Sequence, residues 1–143
     1  MRDSLFFDTN ILVYAFDKTD QEKYEIASRL VTEAFQKGNG VISAQVLKEF
    51  FVTVTRKVPE KMSVDDAEQT IRDFSVWKVV DTTVPLILKA IGFHKQFDFS
   101  FWDAMIVAAC HLAGSSALLS EDLSHGMLIE NIRIINPFRA DQP

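Results

Sequence analysis

Cysteine is all but missing from this chain: the single Cys110 cannot close an internal disulfide, and it sits in an apolar run where a buried free thiol is the ordinary reading. Long hydrophobic runs are missing too. The longest, residues 104–110, is far too short to span a bilayer, which excludes a membrane-spanning segment. Met1-Arg2-Asp3-Ser4 leads straight toward a strand, with no apolar h-region and no small-residue cleavage site, so a cytoplasmic protein is expected. Positive charge is scarce. Fifteen Lys and Arg face 20 Asp and Glu, for a formal charge of -5, so any nucleic-acid contact has to rest on a local basic patch and not on overall charge. His94, His111 and His125 show no metal-ligand spacing and read as surface or packing residues. Phosphate-binding loops are absent: no G-x-G-x-x-G follows the first apolar stretch and no G-x-x-x-x-G-K-[ST] occurs, which removes dinucleotide and P-loop chemistry. Nor is there a G-x-S-x-G nucleophile elbow.

What the chain does have is apolar residues, 48% of 143, enough for one domain with a proper core over residues 1–143. Leu5-Phe6-Phe7 are consecutive apolar residues without polar alternation, which suits a central strand covered on both faces. Gly40-Val41-Ile42-Ser43, Trp77-Lys78-Val79-Val80, Ala117-Leu118-Leu119-Ser120 and residues 132–135 read as further strands. Helical periodicity fills the intervals. Residues 11–16 make a short apolar turn of helix, and residues 21–37 carry a stripe at three and four spacing that Gly38 ends. Ser43 can cap residues 44–57, Ser63 with Asp66 opens a helix to Phe74, and Thr83 with Pro85 starts one through Leu86, Leu88 and Ile91. Ser100 with Asp103 opens a nearly all-apolar helix that runs to Gly114. The alternation predicts an α/β fold: a central parallel sheet of four to five strands, flanked by helices on both faces.

Acids stand at the ends of these elements. Asp8 falls where the first strand leaves the sheet, which is where open α/β sheets bind ligands. It is also a good N-cap for the helix that follows. Asp122, with Glu121 beside it, follows the fourth strand. Asp103 lies in the first turn of a helix, a place that welcomes a carboxylate for purely structural reasons. Glu49 sits at the edge of an apolar stripe beside Phe50 and Phe51, where a solvated flank is the plain alternative. If the sheet gathers these four, they repel one another: two unit charges about 4 Å apart cost roughly 4 kcal/mol at an effective dielectric of 20. A hard divalent cation relieves this, and all-oxygen ligands select Mg²⁺ or Mn²⁺ over zinc. Such a site matches phosphodiester hydrolysis. A receiver-type phosphorylation domain would need a lysine after a late strand, and no lysine follows Lys95. A phosphatase using Asp8 as nucleophile would need the D-x-D pattern, which Asn10 breaks.

Four motifs occur together: Phe7-Asp8-Thr9-Asn10, Val41-Ile42-Ser43-Ala44-Gln45 leading to Glu49, Ser100-Phe101-Trp102-Asp103-Ala104, and Leu119-Ser120-Glu121-Asp122-Leu123. In this combination the chain resembles a PIN-domain nuclease of the VapC toxin type, over residues 5–138. The resemblance implies a Mg²⁺- or Mn²⁺-dependent endoribonuclease acting on RNA, in general a homodimer silenced by a small cognate antitoxin. By motif position the family's catalytic and metal-binding acids carry over to Asp8, Glu49, Asp103 and Asp122. Asn10 and Ser120 match polar positions that support the cluster, and Glu121 adjoins Asp122 so that either could point inward. A PIN-like module kept only for binding or scaffolding is the alternative. Twelve Phe, with Phe93, Phe97, Phe99 and Phe101 clustered, raise the expectation of a partner groove alongside that of core.

Overall fold

Strand and helix alternate along the chain as their residue patterns require. The computed structural model describes residues 3–139; Met1, Arg2 and residues 140–143, which the expected domain extent includes, lie outside the described residues. The first strand, β1 (Leu5–Phe7), is followed by α1 (Thr9–Tyr14) and α2 (Gln21–Lys37), then β2 (Gly40–Ser43), α3 (Ala44–Arg56) and α4 (Val64–Phe74). There follow β3 (Lys78–Val80), α5 (Val84–Gln96), α6 (Phe101–Ala113), β4 (Ala117–Leu119), β5 (Leu128–Ile129) and β6 (Ile132–Ile135). The strands form one sheet in the order β3-β2-β1-β4-β6-β5. Five of them run parallel, with registers such as Phe6 to Val41 and Phe6 to Leu118, and β5 alone is antiparallel, against β6.

Cap chemistry sets most of the helix starts. Ser43, Ser63, Thr83 and Ser100 each accept a hydrogen bond from a backbone N–H three residues on, which satisfies one of the donors a helix start leaves unpaired. Gly38 closes α2 in the left-handed region, at φ 67°, where a side chain would be strained. Helices cover both faces of the sheet, and β2, buried along its whole length, is packed by α2, α3 and α6. The largely apolar α6 is buried from Ala104 to Cys110. Inside it, burial pushes the Cys110 thiol up to about 12, so it stays protonated and unreactive. Among the described residues no helix is long and apolar enough to cross a membrane.

The sheet order matters for function. From β1 the chain crosses to β2 on one side and later returns to β4 on the other, so the carboxyl ends of β1 and β4 lie at the point where strand order reverses. There α1 leaves β1, a loop leaves β4, and a crevice lies at their exits.

At the opposite end of β2 an aromatic cluster fixes the packing. Trp77 lies 4.9 to 5.1 Å, ring to ring, from Phe7, Phe35 and Phe74. A Cβ on Gly40 would fall 2.7 Å from the Trp77 ring, which cannot retreat because other rings hold it. Gly40→Ala is therefore expected to destabilise the fold by about 1 to 3 kcal/mol, the usual cost of overpacking. Urea unfolding checks this, and an unchanged midpoint would mean the indole is free to move.

Candidate active site

The crevice at the carboxyl edge of the sheet is a cavity of about 480 Å³, and Asp8, Glu49, Asp103 and Asp122 all line it. Their routes there differ. Asp8 leaves β1 directly and is buried, at 7% exposure. Its Oδ1 accepts from the Thr9 N–H at 2.7 Å and its Oδ2 from the Ser120 hydroxyl at 2.8 Å. Asp8 thus caps α1 and lines the crevice at once. Ser120 follows β4 and is fully buried; its oxygen also accepts the backbone N–H groups of Asp122 and Leu123, at 3.2 and 3.4 Å. One hydroxyl therefore fastens the exit of β4 to the exit of β1.

Asp122 is turned toward the crevice and its Oδ2 accepts from the Asn10 amide at 2.9 Å. Glu121, beside it, is held elsewhere. It pairs with Lys23 of α2 and accepts from the Tyr14 hydroxyl at 3.0 Å. The ambiguity between these neighbouring acids is settled geometrically by two residues about 100 positions away in the chain. Glu49 comes from the second turn of α3: Thr9 donates to its Oε1 at 2.5 Å and Gln45, one turn earlier, to its Oε2 at 3.1 Å. Asp103 lies in the first turn of α6, where Ser100 caps its N–H at 3.1 Å. Among the described residues no donor reaches its carboxylate.

Burial decides the electrostatics of Asp8. Its carboxyl is raised from 3.8 to about 6, chiefly by desolvation; the hydrogen bonds from Ser120 and Thr9 oppose the rise, and the charges of Asp122 and Asp103 add to it. Asp122 is raised as well, by desolvation first and then by Asp103 and Glu121, with Lys23 opposing. These acids feel one another's charge.

That mutual repulsion, with an all-oxygen donor set and no nitrogen or sulfur ligand, fits a hard divalent cation such as Mg²⁺ or Mn²⁺. Among the described residues no three His, Cys, Asp or Glu side chains converge tightly enough to enclose an ion by themselves. An open set of acids suits Mg²⁺, which keeps several of its waters. The three histidines stand apart from the crevice: His94 bonds the Phe99 carbonyl, His125 accepts the Asn136 N–H, and His111 lies near Glu130.

Several crevice residues have no site role legible from the motifs alone, although Thr9, Gln45 and Trp102 stand within them. Thr9 bridges α1 to Glu49, Gln45 has the i, i+4 spacing to Glu49 that could have flagged it, and Lys48, Lys57 and Trp102 line the mouth. The expected aromatic groove is not what Phe93, Phe97, Phe99 and Phe101 build: Phe93 is buried and the others pack half-buried against the core.

The model of the PIN domain family matches residues 5–125 of the chain. No curated protein sequence matches. Among solved structures it is similar to the Mycobacterium tuberculosis toxin VapC20, described as cleaving the sarcin-ricin loop, at 24% identity and TM-score 0.65 over 83% of this chain and 90% of that one. A toxin-antitoxin complex from Klebsiella pneumoniae matches at 18% identity and TM-score 0.67, over 94% and 98%. VapBC2 from Rickettsia felis, bound to a promoter DNA fragment, matches at 18% and 0.63, over 91% and 96%. At these identities the likeness establishes the fold.

The raised Asp8 carboxyl sets a pH dependence. Folded Asp8 holds its proton more tightly than the unfolded chain does, so it contributes stability below about pH 4 that is lost as pH rises through about 6; the change from 3.8 to about 6 corresponds to about 3 kcal/mol. In chelator, the wild-type protein should therefore lose about 3 kcal/mol more than Asp8→Asn between about pH 3 and 7 in urea unfolding. Parallel curves would mean that Asp8 is solvated.

Proposed function

The chain belongs to the PIN domain family, and from that premise we propose that it is a Mg²⁺- or Mn²⁺-dependent endoribonuclease, a VapC-type toxin in a single domain. The observation that carries the reading is the lining of one crevice by four acids drawn from four separate elements. The likeness to a toxin described as cleaving the sarcin-ricin loop supports the substrate class. Asp8, Asp103 and Asp122 would hold the ion, with Glu49 completing the set. When bound, such an ion supplies the positive charge that favours deprotonation of an attacking water and stabilises the leaving oxygen of a phosphodiester.

The chain's own residues prepare the rest. A carboxylate accepts about four hydrogen bonds, so Asp8 and Asp122 keep free lone pairs after those from Thr9, Ser120 and Asn10. Thr9 and Gln45 grip both oxygens of Glu49, which fixes its orientation and leaves lone pairs for a water proton. Ser120 and Asn10 are positioning residues. The lysines at the mouth offset the negative charge that would otherwise repel RNA.

A partner protein fits the same reading. Similar chains are solved in toxin-antitoxin complexes, and beside the crevice an apolar groove lined by Leu47, Phe51, Val52 and Ile71 shares Lys48 and Val52 with it. We assign the groove's neighbourhood to a cognate antitoxin and expect a homodimer on the family resemblance. The cytoplasm suits both RNA and the reduced thiol of Cys110.

Asp103→Asn is expected to abolish metal-dependent RNA cleavage, while the chelated protein loses no stability or gains some, because a charge that raises Asp8 and Asp122 has gone. A cap-only Asp103 would instead cost about 0.3 to 1 kcal/mol and leave cleavage in place. Cleavage and chelator melting on the same preparations separate the two, and a wild-type protein inert toward RNA with either ion would leave only a binding module. The neighbouring acids give a second test. Asp122→Asn should abolish cleavage, whereas Glu121→Gln should keep it within a few-fold and cost about 1 kcal/mol through the half-buried Lys23 pair. The reverse pattern in a cleavage assay would exchange their roles.

A further inference from the structure

Beside Asp103 the crevice carries a large exposed ring. Trp102 is 62% exposed, while the other tryptophan, Trp77, is 7% exposed in the aromatic core. What distinguishes it from the other exposed apolar side chains is its place: a flat ring in the lining of the acid crevice, open to whatever binds there. The backbone that carries the ring is tied down. Gln45 donates to the Trp102 carbonyl at 3.3 Å and to Glu49 at 3.1 Å, which ties this turn of α6 to the acid cluster. The Phe101 ring meets it nearly edge-on, at 5.2 Å and 72°, and among the described residues no other ring contacts it. Two cations share the crevice lining: Lys48 on the second turn of α3 and Lys57 just past its end. Both are exposed and, among the described residues, neither forms an ion pair. In a chain with five surplus negative charges, two unengaged lysines and an open indole around an acidic crevice make the local patch that a polyanion with flat bases needs.

We propose that Trp102 is a stacking platform for an unpaired base of single-stranded RNA, with Lys48 and Lys57 holding the adjoining phosphates. The site then selects unpaired RNA. In a duplex each base is already stacked and paired, and has to be pulled out before it can lie on the indole. Stacking on one ring tolerates every base, so Trp102 confers single-strand preference and not sequence. This inference rests on the ribonuclease reading and extends it.

The test uses the whole protein with Mg²⁺, polyadenylate and polyuridylate as single strands, and their duplex. Single strands should quench tryptophan emission, and Trp102→Phe should abolish the quenching because the remaining Trp77 is buried. Trp102→Ala should weaken single-strand binding on the order of tenfold, with Trp102→Phe within a few-fold of wild type. In cleavage assays Trp102→Ala should raise KM with little change in kcat, and duplex RNA should bind at least tenfold more weakly than single strands. A wild-type protein that cleaves RNA, yet shows no quenching and no response to Trp102→Ala, would overturn the platform alone and turn the exposed ring over to a protein partner. Equal affinity for duplex and single strands would overturn it as well. A wild-type protein that neither binds nor cleaves RNA would overturn the ribonuclease reading and the platform with it.

Discussion

A carboxylate buried among other carboxylates is the constraint around which this molecule is arranged. Asp8 leaves the central strand with almost no access to solvent, and desolvation outweighs the two hydrogen bonds that favour its charge. Near neutral pH it is nevertheless mainly ionised, because about 6 lies below 7. The fold therefore carries an unfavourable negative charge where strand order reverses. Groups perturbed in this way cluster at functional sites.

The surroundings of Asp8 show how a small fold contains that strain. The Ser120 hydroxyl donates a hydrogen bond to Asp8 and accepts from two N–H groups of the turn after β4, so it both compensates the buried charge and shapes the loop that presents Asp122. On the far side of that loop Lys23 and Tyr14 take Glu121, and the Lys23 ammonium also lies 4.8 Å from the Tyr14 ring and 5.4 Å from the Phe138 ring. The loop is thus pinned on both sides, with one acid on each. The lysines and the indole complete the crevice: a buried negative charge at Asp8 is surrounded by further acids, with positive charge and an aromatic face in the same lining.

Much of the fold could be read from residue patterns, because buried parallel strands are short apolar runs and most helix starts here carry Ser or Thr caps. The five parallel strands and six helices follow from those signals. The antiparallel β5 does not: it is two residues long, and Leu128 is exposed, so no alternation marks it. The helix signal ending near Ile91 extends to Gln96 because Phe93 is buried on the same face as Leu86 and Ala90. At the site, Asp8 was conspicuous because it ends an apolar run. Glu49 could equally have been a solvated flank, and only its bond to Thr9, 40 residues away, places it in the crevice. The choice between Glu121 and Asp122 depends on Lys23, and no local pattern encodes a partner 98 residues distant. The exposed Trp102 hid for a related reason: within an aromatic-rich segment nothing in the letters separates the ring left in water from those that pack.

The central claim is that the repulsion within the acid crevice is relieved by a hard cation, and it is tested most directly by melting one preparation in chelator and in saturating Mg²⁺ or Mn²⁺ at about neutral pH. The folded chain gathers the acids and the unfolded chain does not, so the ion should raise the melting temperature, by the equivalent of roughly 2.7 kcal/mol when free metal is about 100 times its Kd. A variant with Asp8 and Asp103 both changed to Asn should lose that response. Identical melting temperatures of the wild-type protein in chelator and in metal would contradict the account.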